Sequence, residues 1–184
     1  GLGHLKDLTK LERLNLHGTQ VTDAGLVHLG AMPQLISLDL SNTQITDAGL
    51  VHLKEMTELT DLQISNTRVT DAGLRYLAGV IKLRSLCVAG LPITDHGLAY
   101  LKGRTNLFRL DLPQTNVTDA GLVHLKGMAE LQWLSLSGSN ITDAGIVHLK
   151  GLDKLQMLYL MRAKVTYAGV ADLKKALPNC NIFK

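Results

Sequence analysis

Leucine recurs every 24 residues along this chain, at Leu11, Leu35, Leu59, Leu83, Leu107, Leu131 and Leu155, and marks seven units. Counting each of these as position 1, position 4 reads Leu14, Leu38, Leu62, Leu86, Leu110, Leu134 and Leu158, and position 6 reads Leu16, Leu40, Ile64, Val88, Leu112, Leu136 and Leu160. Apolar residues two apart, with polar ones between, predict a strand with one buried face. From position 11 the rhythm changes. Val21, Thr22, Asp23, Ala24, Gly25, Leu26 and Leu29 recur with little change at 45–53, 117–125 and 141–149, and the apolar residues now fall three apart, which predicts a short helix. Threonine and aspartate ahead of it are placed to accept hydrogen bonds from the free N–H groups of the first turn. Lysine followed by glycine, at Lys102-Gly103, Lys126-Gly127 and Lys150-Gly151, reads as a helix stop.

Each unit is therefore a strand, a turn, a short helix and a return, and no unit buries its leucines alone. Stacked units bury them in one continuous seam. Glycine stands at position 15 throughout (Gly1, Gly25, Gly49, Gly73, Gly97, Gly121, Gly145, Gly169), although it costs a helix about 1 kcal/mol against alanine. That cost implies a close approach between neighbouring helical segments, where a Cβ would collide with backbone.

The pattern Leu-x-x-Leu-x-Leu-x-x-Thr-x-Val-Thr-Asp-Ala-Gly-Leu-x-x-Leu resembles the leucine-rich repeats of bacterial multi-repeat proteins and is similar to the repeats of F-box leucine-rich substrate adaptors. The resemblance covers essentially the whole chain. It implies an α/β fold: a right-handed leucine-rich-repeat solenoid, or horseshoe, with a parallel sheet on the concave face, short helices on the convex face, and partner recognition on the concave side. The family's usual Asn or Cys at position 9 is replaced by Thr19, Thr43, Thr67, Thr115 and Ser139, whose hydroxyls remain able to bond the turn backbone. No F-box helices precede the array, so a ubiquitin-adaptor role is not implied.

The whole of 1–184 reads as a single leucine-rich-repeat domain: a half repeat over 1–10, seven repeats over 11–179 and a terminal short strand over 180–184, placed with Cys180 at the next position 1 and Ile182 beginning the strand. No dedicated N-terminal cap is visible, so the expectation is a piece of a longer protein, with end-to-end self-association through uncapped termini as one outcome.

Composition sharpens this only a little. Apolar residues make up 46% but aromatic ones 4%, so the core is aliphatic, as in repeat arrays. A net charge of +3 is too small and too evenly spread to favour nucleic acid or an anionic membrane. The strand region sets Glu12, Asp39, Asp61 and Asp111 against Arg13, Arg84, Arg109 and Arg162, which leaves no basic groove. No apolar run is long enough to insert into a bilayer. Residues 1–5 lack the character of a signal peptide, although a leader removed upstream would leave no trace. Cys87 and Cys180 lie four repeats apart, roughly 19 Å at the strand spacing, beyond disulfide reach, which leans toward a reducing, cytoplasmic compartment without fixing it.

Two constellations carry chemical suggestions. His4, His28, His52, His124 and His148 share position 18, but neighbouring helices sit too far apart for a zinc to hold two of their nitrogens, and no metal or other cofactor is expected. His17 beside Ser41, with Asp39 and Ser65 near, sketches a nucleophile and base on an open sheet that offers no pocket to exclude water; no catalysis is expected. Repeat four departs from the pattern at Leu91, Pro92, His96 and Arg104, which reads as drift in a tolerant array.

Variation between units carries more. Core positions barely change, whereas position 3 runs Arg13, Ser37, Asp61, Ser85, Arg109, Trp133, Met157 and position 5 runs Asn15, Asp39, Gln63, Cys87, Asp111, Ser135, Tyr159. Variable side chains on a fixed scaffold suit recognition of one protein or peptide. The expected contact surface is centred on Arg109, Trp133, Met157, Tyr159 and Met161, the cation stacking on the indole, with Asp39, Asp61 and Asp111 providing polar registration. The alternative is a structural spacer or assembly segment of a larger multidomain protein.

Overall fold

The structure is a computed structural model and describes residues 2–184. Eight three-residue strands, β1 (Arg13–Asn15), β2 (Ser37–Asp39), β3 (Asp61–Gln63), β4 (Ser85–Cys87), β5 (Arg109–Asp111), β6 (Trp133–Ser135), β7 (Met157–Tyr159) and β8 (Asn181–Phe183), form one open parallel sheet in chain order. Every pair is in register at 24 residues, from Leu14 opposite Leu38 to Leu158 opposite Ile182. The middle residue of each strand points inward. Leu38, Leu62, Leu86, Leu110, Leu134 and Leu158 are at most 1% exposed and join the other repeated leucines in one unbroken apolar seam that runs from Leu16 to Cys180.

The last strand departs from simple spacing. Cys180 does occupy the buried place that a position-1 leucine takes elsewhere. With the usual link it would bring Phe183 inward. Instead the link to the strand is one residue shorter, β8 begins at Asn181, Ile182 faces the core and Phe183 stands outward beside Tyr159. A one-residue slip would have turned every side chain of the strand over, and the buried face forbids it.

The opposite layer is only partly α-helical. α1 (Asp23–Leu29), α4 (Asp95–Ala99) and α6 (Tyr167–Ala176) are α-helices, whereas α2 (Asp47–Leu50), α3 (Asp71–Leu74) and α5 (Asp143–Ile146) last one turn and continue as 310 segments, and repeat five has the 310 segment Gly121–Leu125 alone. Apolar residues three apart match the three-residue turn of a 310 helix better than the α-helical period. Of the three lysine-glycine stops, Gly103 and Gly127 take left-handed backbone at φ 80° and 86°, but Gly151 does not.

Aspartate at position 13 turns out to serve the next repeat rather than its own helix. Asp23, Asp47, Asp71, Asp95, Asp119 and Asp143 each accept the backbone N–H of the following repeat's threonine at 2.7–2.9 Å and its hydroxyl at 2.5–2.7 Å. Threonine keeps its capping duty, accepting from Ala48, Ala72, His96, Ala144 and Gly169 N–H. This ladder also explains the glycine at position 15. A Cβ on Gly49, Gly73, Gly97, Gly121, Gly145 or Gly169 would strike the carboxylate oxygen of the preceding repeat's aspartate; the nearest obstacles are side chains in four of these units, and main chain joins them only at Gly121 and Gly145, so the collision is not with backbone first.

At position 9 the hydroxyls of Thr19, Thr43, Thr67, Thr115 and Ser139 donate to the carbonyl three residues earlier at 2.6–2.8 Å. Position 8 is left-handed in all seven repeats: Gly18, Asn42, Asn66, Gly90, Gln114, Gly138 and Arg162 have φ between 52° and 70°. Repeat four has its own exchange. Pro92 lacks the N–H that Gln44, Arg68, Asn116 and Lys164 donate to the preceding repeat, while Arg104 replaces a buried apolar residue and sends its guanidinium to the carbonyls of Val80, at 2.7 Å, and Leu77. Burial lowers the pKa of Arg104, yet a guanidinium stays charged at any physiological pH.

Candidate functional site on the strand face

Strand residues at positions 3 and 5 alternate with the buried leucines and so point away from the core. Down this face the outward side chains change from polar to aromatic. In repeats one to four they are short or polar, and from β5 onward they build a continuous stack. The Arg109 guanidinium lies 4.8 Å from the Trp133 ring centroid, Trp133 lies 4.9 Å from Tyr159, and Tyr159 lies 4.8 Å from Phe183 with the ring planes within 12°. Offset stacking of this kind is favourable by about 0.5–1.5 kcal/mol per pair beyond burial.

Asp111 underlies the stack. Its carboxylate is only 5% exposed and accepts Arg109 Nε at 2.6 Å and Trp133 Nε1 at 2.9 Å. The two donors fix both groups at one end of the row. This corrects the expectation that Asp111 offers polar registration to a partner: its oxygens are spent beneath the surface, and its part is to hold the cation and the indole.

The other expected residues fall in three places. Met157 sits opposite Trp133 in the strand register, its sulfur approached by Asn181 Nδ2 at 3.9 Å, and belongs to the aromatic end. Met161 is 41% exposed but leaves the strand for the turn rim, where its sulfur accepts from Ser137 Oγ at 3.7 Å. It lines a hollow of about 460 Å³ with Pro113, Gln114, Ser137, Gly138 and Arg162. Asp39 lies on β2, away from the stack, whereas Asp61 on β3 is two strands from Arg109 and lines a small hollow with Arg109 and Asp111. Asp39 accepts Ser41 N–H at 2.9 Å with His17 Nδ1 at 3.9 Å, and Asp61 accepts the Thr60 hydroxyl at 2.6 Å.

Phe183 was missed because the count from Cys180 turned it inward. The left-handed Gln114 and Arg162 were missed too, though glycine and asparagine at the same position elsewhere are the sequence mark of such a turn. For these two larger residues the conformation costs about 1–2 kcal/mol each.

The nucleophile-and-base sketch does not assemble. Ser41 is 4% exposed, and His17 Nε2 meets Asn42 Nδ2 at 3.4 Å. Among the described residues no three His, Cys, Asp or Glu side chains are grouped so as to hold a metal ion, and no helix is long and apolar enough to cross a membrane. Both cysteines are free, Cys180 buried and Cys87 half-buried with its sulfur 3.1 Å from Ser65 Oγ.

Known proteins agree with this architecture. The family described as Leucine Rich repeats, in two copies, matches residues 9–55, and the family described as Leucine Rich repeat matches 56–78. No curated protein matches the chain. The crystal structure of an internalin C2 from Listeria monocytogenes is 28% identical over 96% of this chain and 71% of its own, with a TM-score of 0.75. That of an internalin F from the same organism is 22% identical over all of this chain, which spans only 57% of it, with a TM-score of 0.72. These likenesses carry the bacterial array and leave the F-box likeness where the motif alone put it. Leucine-rich-repeat proteins of this kind are typically non-catalytic and bind other proteins. With the 24-residue register held across all eight strands, the chain is a leucine-rich-repeat solenoid, a non-catalytic protein-interaction module.

Proposed function

We propose that this module binds its protein partner on the concave strand face, through the aromatic end formed by Arg109, Trp133, Met157, Tyr159 and Phe183. The observation that carries the reading is the stack itself: a cation and three rings in van der Waals sequence across four strands, one end tied by the buried Asp111. Tryptophan, tyrosine and arginine dominate the residues that contribute most to interfaces, and rigid side chains lose little freedom on binding. Elsewhere on the face, Asp39 and Asp61 supply outlying polar contacts.

The test is a Trp133→Ala/Tyr159→Ala double variant used as bait beside the wild type, with captured proteins quantified by mass spectrometry. Both side chains project from the surface of the sheet, so the circular dichroism spectrum should be unchanged. Retention of the specific partner should fall about 30-fold or more, corresponding to about 2 kcal/mol. Equal retention by the two baits eliminates this surface.

A further inference from the structure

The turn rim beside the aromatic end holds a second feature. Pro113 and Gln114 of repeat five, Ser137 and Gly138 of repeat six, and Met161 and Arg162 of repeat seven line the open hollow of about 460 Å³. It spans two strand spacings, about 10 Å, the length of roughly three extended residues. Its two largest polar side chains, Gln114 and Arg162, are the two that hold left-handed backbone without being glycine or asparagine, at φ 58° and 61°. Glycine occupies the same position in repeats one, four and six, so the fold accommodates the cheaper residue there. The Gln114 side chain leans over its neighbour, its Cγ 3.3 Å from where a Cβ on Gly138 would stand. Side chains kept against their backbone preference on the wall of one cavity indicate a use for that cavity.

Charge indicates what it takes. From position 7 to position 10 of the seven repeats the rim carries Arg68, Arg162 and Lys164 and no carboxylate. Among the described residues no acidic side chain pairs with Arg162. Pro113 and Met161 add an apolar floor beside that cation.

We propose that this hollow receives an acidic peptide segment of the partner protein, a carboxylate on the Arg162 guanidinium, its backbone on the Gln114 amide, and the adjoining apolar side chain on Pro113 and Met161. The assignment rests on the concave-face reading above, since it places the segment at the edge of the same contact surface. It makes the partner bipartite: apolar residues over the aromatic row, then an acid where the chain passes over the rim.

The probe is a displayed library of random dodecapeptides selected on the immobilised wild-type protein. Selected sequences should pair an aspartate or glutamate with a neighbouring apolar residue. Arg162→Gly should lower their retention about tenfold or more, the loss of one charge-assisted contact, while raising the melting temperature by about 2–4 °C through relief of the left-handed arginine. Loss of binding with gain of stability separates a contact role from misfolding. Peptides that depend on Trp133 and Tyr159 but show no acidic preference and no response to Arg162→Gly overturn the rim assignment and leave the aromatic surface standing. Peptides that respond to Arg162→Gly but not to the aromatic double variant overturn the aromatic surface instead. Retention of an oligothymidylate of equal charge as well as or better than the acidic peptides also overturns the assignment, since it would mark the rim as a site for nucleic acid.

Discussion

The ladder of aspartates makes a quantitative prediction about a glycine. At Gly121 the three nearest atoms to an added Cβ all belong to Asp95: a carboxylate oxygen, Cγ at 3.0 Å and Cα at 3.2 Å. An alanine there forces the carboxylate aside and breaks its bonds to Thr118 N–H and Oγ1, at 2.8 and 2.6 Å. Hydrogen bonds to a charged group contribute about 1.5–3 kcal/mol each, and exposure puts these two at the lower end, about 3 kcal/mol together. Alanine returns about 1 kcal/mol through helix preference, so Gly121→Ala should cost about 2 kcal/mol, a fall of about 4–8 °C in melting temperature. In an Asp95→Ala background those bonds are already gone and only the crowding against the main chain of residue 95 remains, so the same substitution should be neutral or stabilising. The cycle is read by urea unfolding, with Trp133, the one tryptophan in the chain, as reporter and circular dichroism as a second probe. Equal costs in the two backgrounds would show that the carboxylate is not what excludes the side chain, and the ladder account of position 15 would be wrong.

The other predictions are shorter. The hydrogen bonds from the Thr166 hydroxyl and backbone hold the Asp143 carboxyl below its ordinary pKa. A depressed folded pKa gives stability that is present above the unfolded value and is lost as pH falls through the folded one, so between about pH 4 and the lowered value Asp143→Asn should flatten the decline of melting temperature with acid; an unchanged slope refutes it. Asp111→Ala should cost about 2 kcal/mol by leaving Arg109 and the indole N–H without their acceptor, and should shift Trp133 emission to longer wavelength with lower anisotropy. Emission and anisotropy equal to wild type would mean that Asp111 does not hold the indole.

What the sequence made legible follows from what is repeated. Leucines at positions 1, 4 and 6 answer to a single requirement, burial, and seven copies average out local exceptions, so strand, register and seam were all readable. The aspartate was assigned to the wrong helix because its type suits a cap in its own unit and a bond to the next equally well, and only the stacking distance decides between them. The cluster of Arg109, Trp133 and Tyr159 was readable because its members share outward strand positions that the register makes neighbours. Phe183 was not, since one residue gained in the turn and one lost before β8 cancel in a way that only sheet pairing reveals. Asp111 looked like its solvent-facing counterparts at position 5 because burial by a neighbour's indole is a property of the pair, not of the position.

The direction of the aspartate ladder bears on how such a chain changes length. Repeats two to six each hand a carboxylate forward and receive one from behind, while repeat one only gives and repeat seven, with Tyr167 in place of the aspartate, only receives; excising or duplicating an inner 24-residue segment therefore leaves each donor with an acceptor. A cut that is not a whole number of repeats orphans one of them and breaks the strand register. Any change in length that keeps the ladder intact is thereby confined to whole repeats, each of which adds or removes one strand of the sheet.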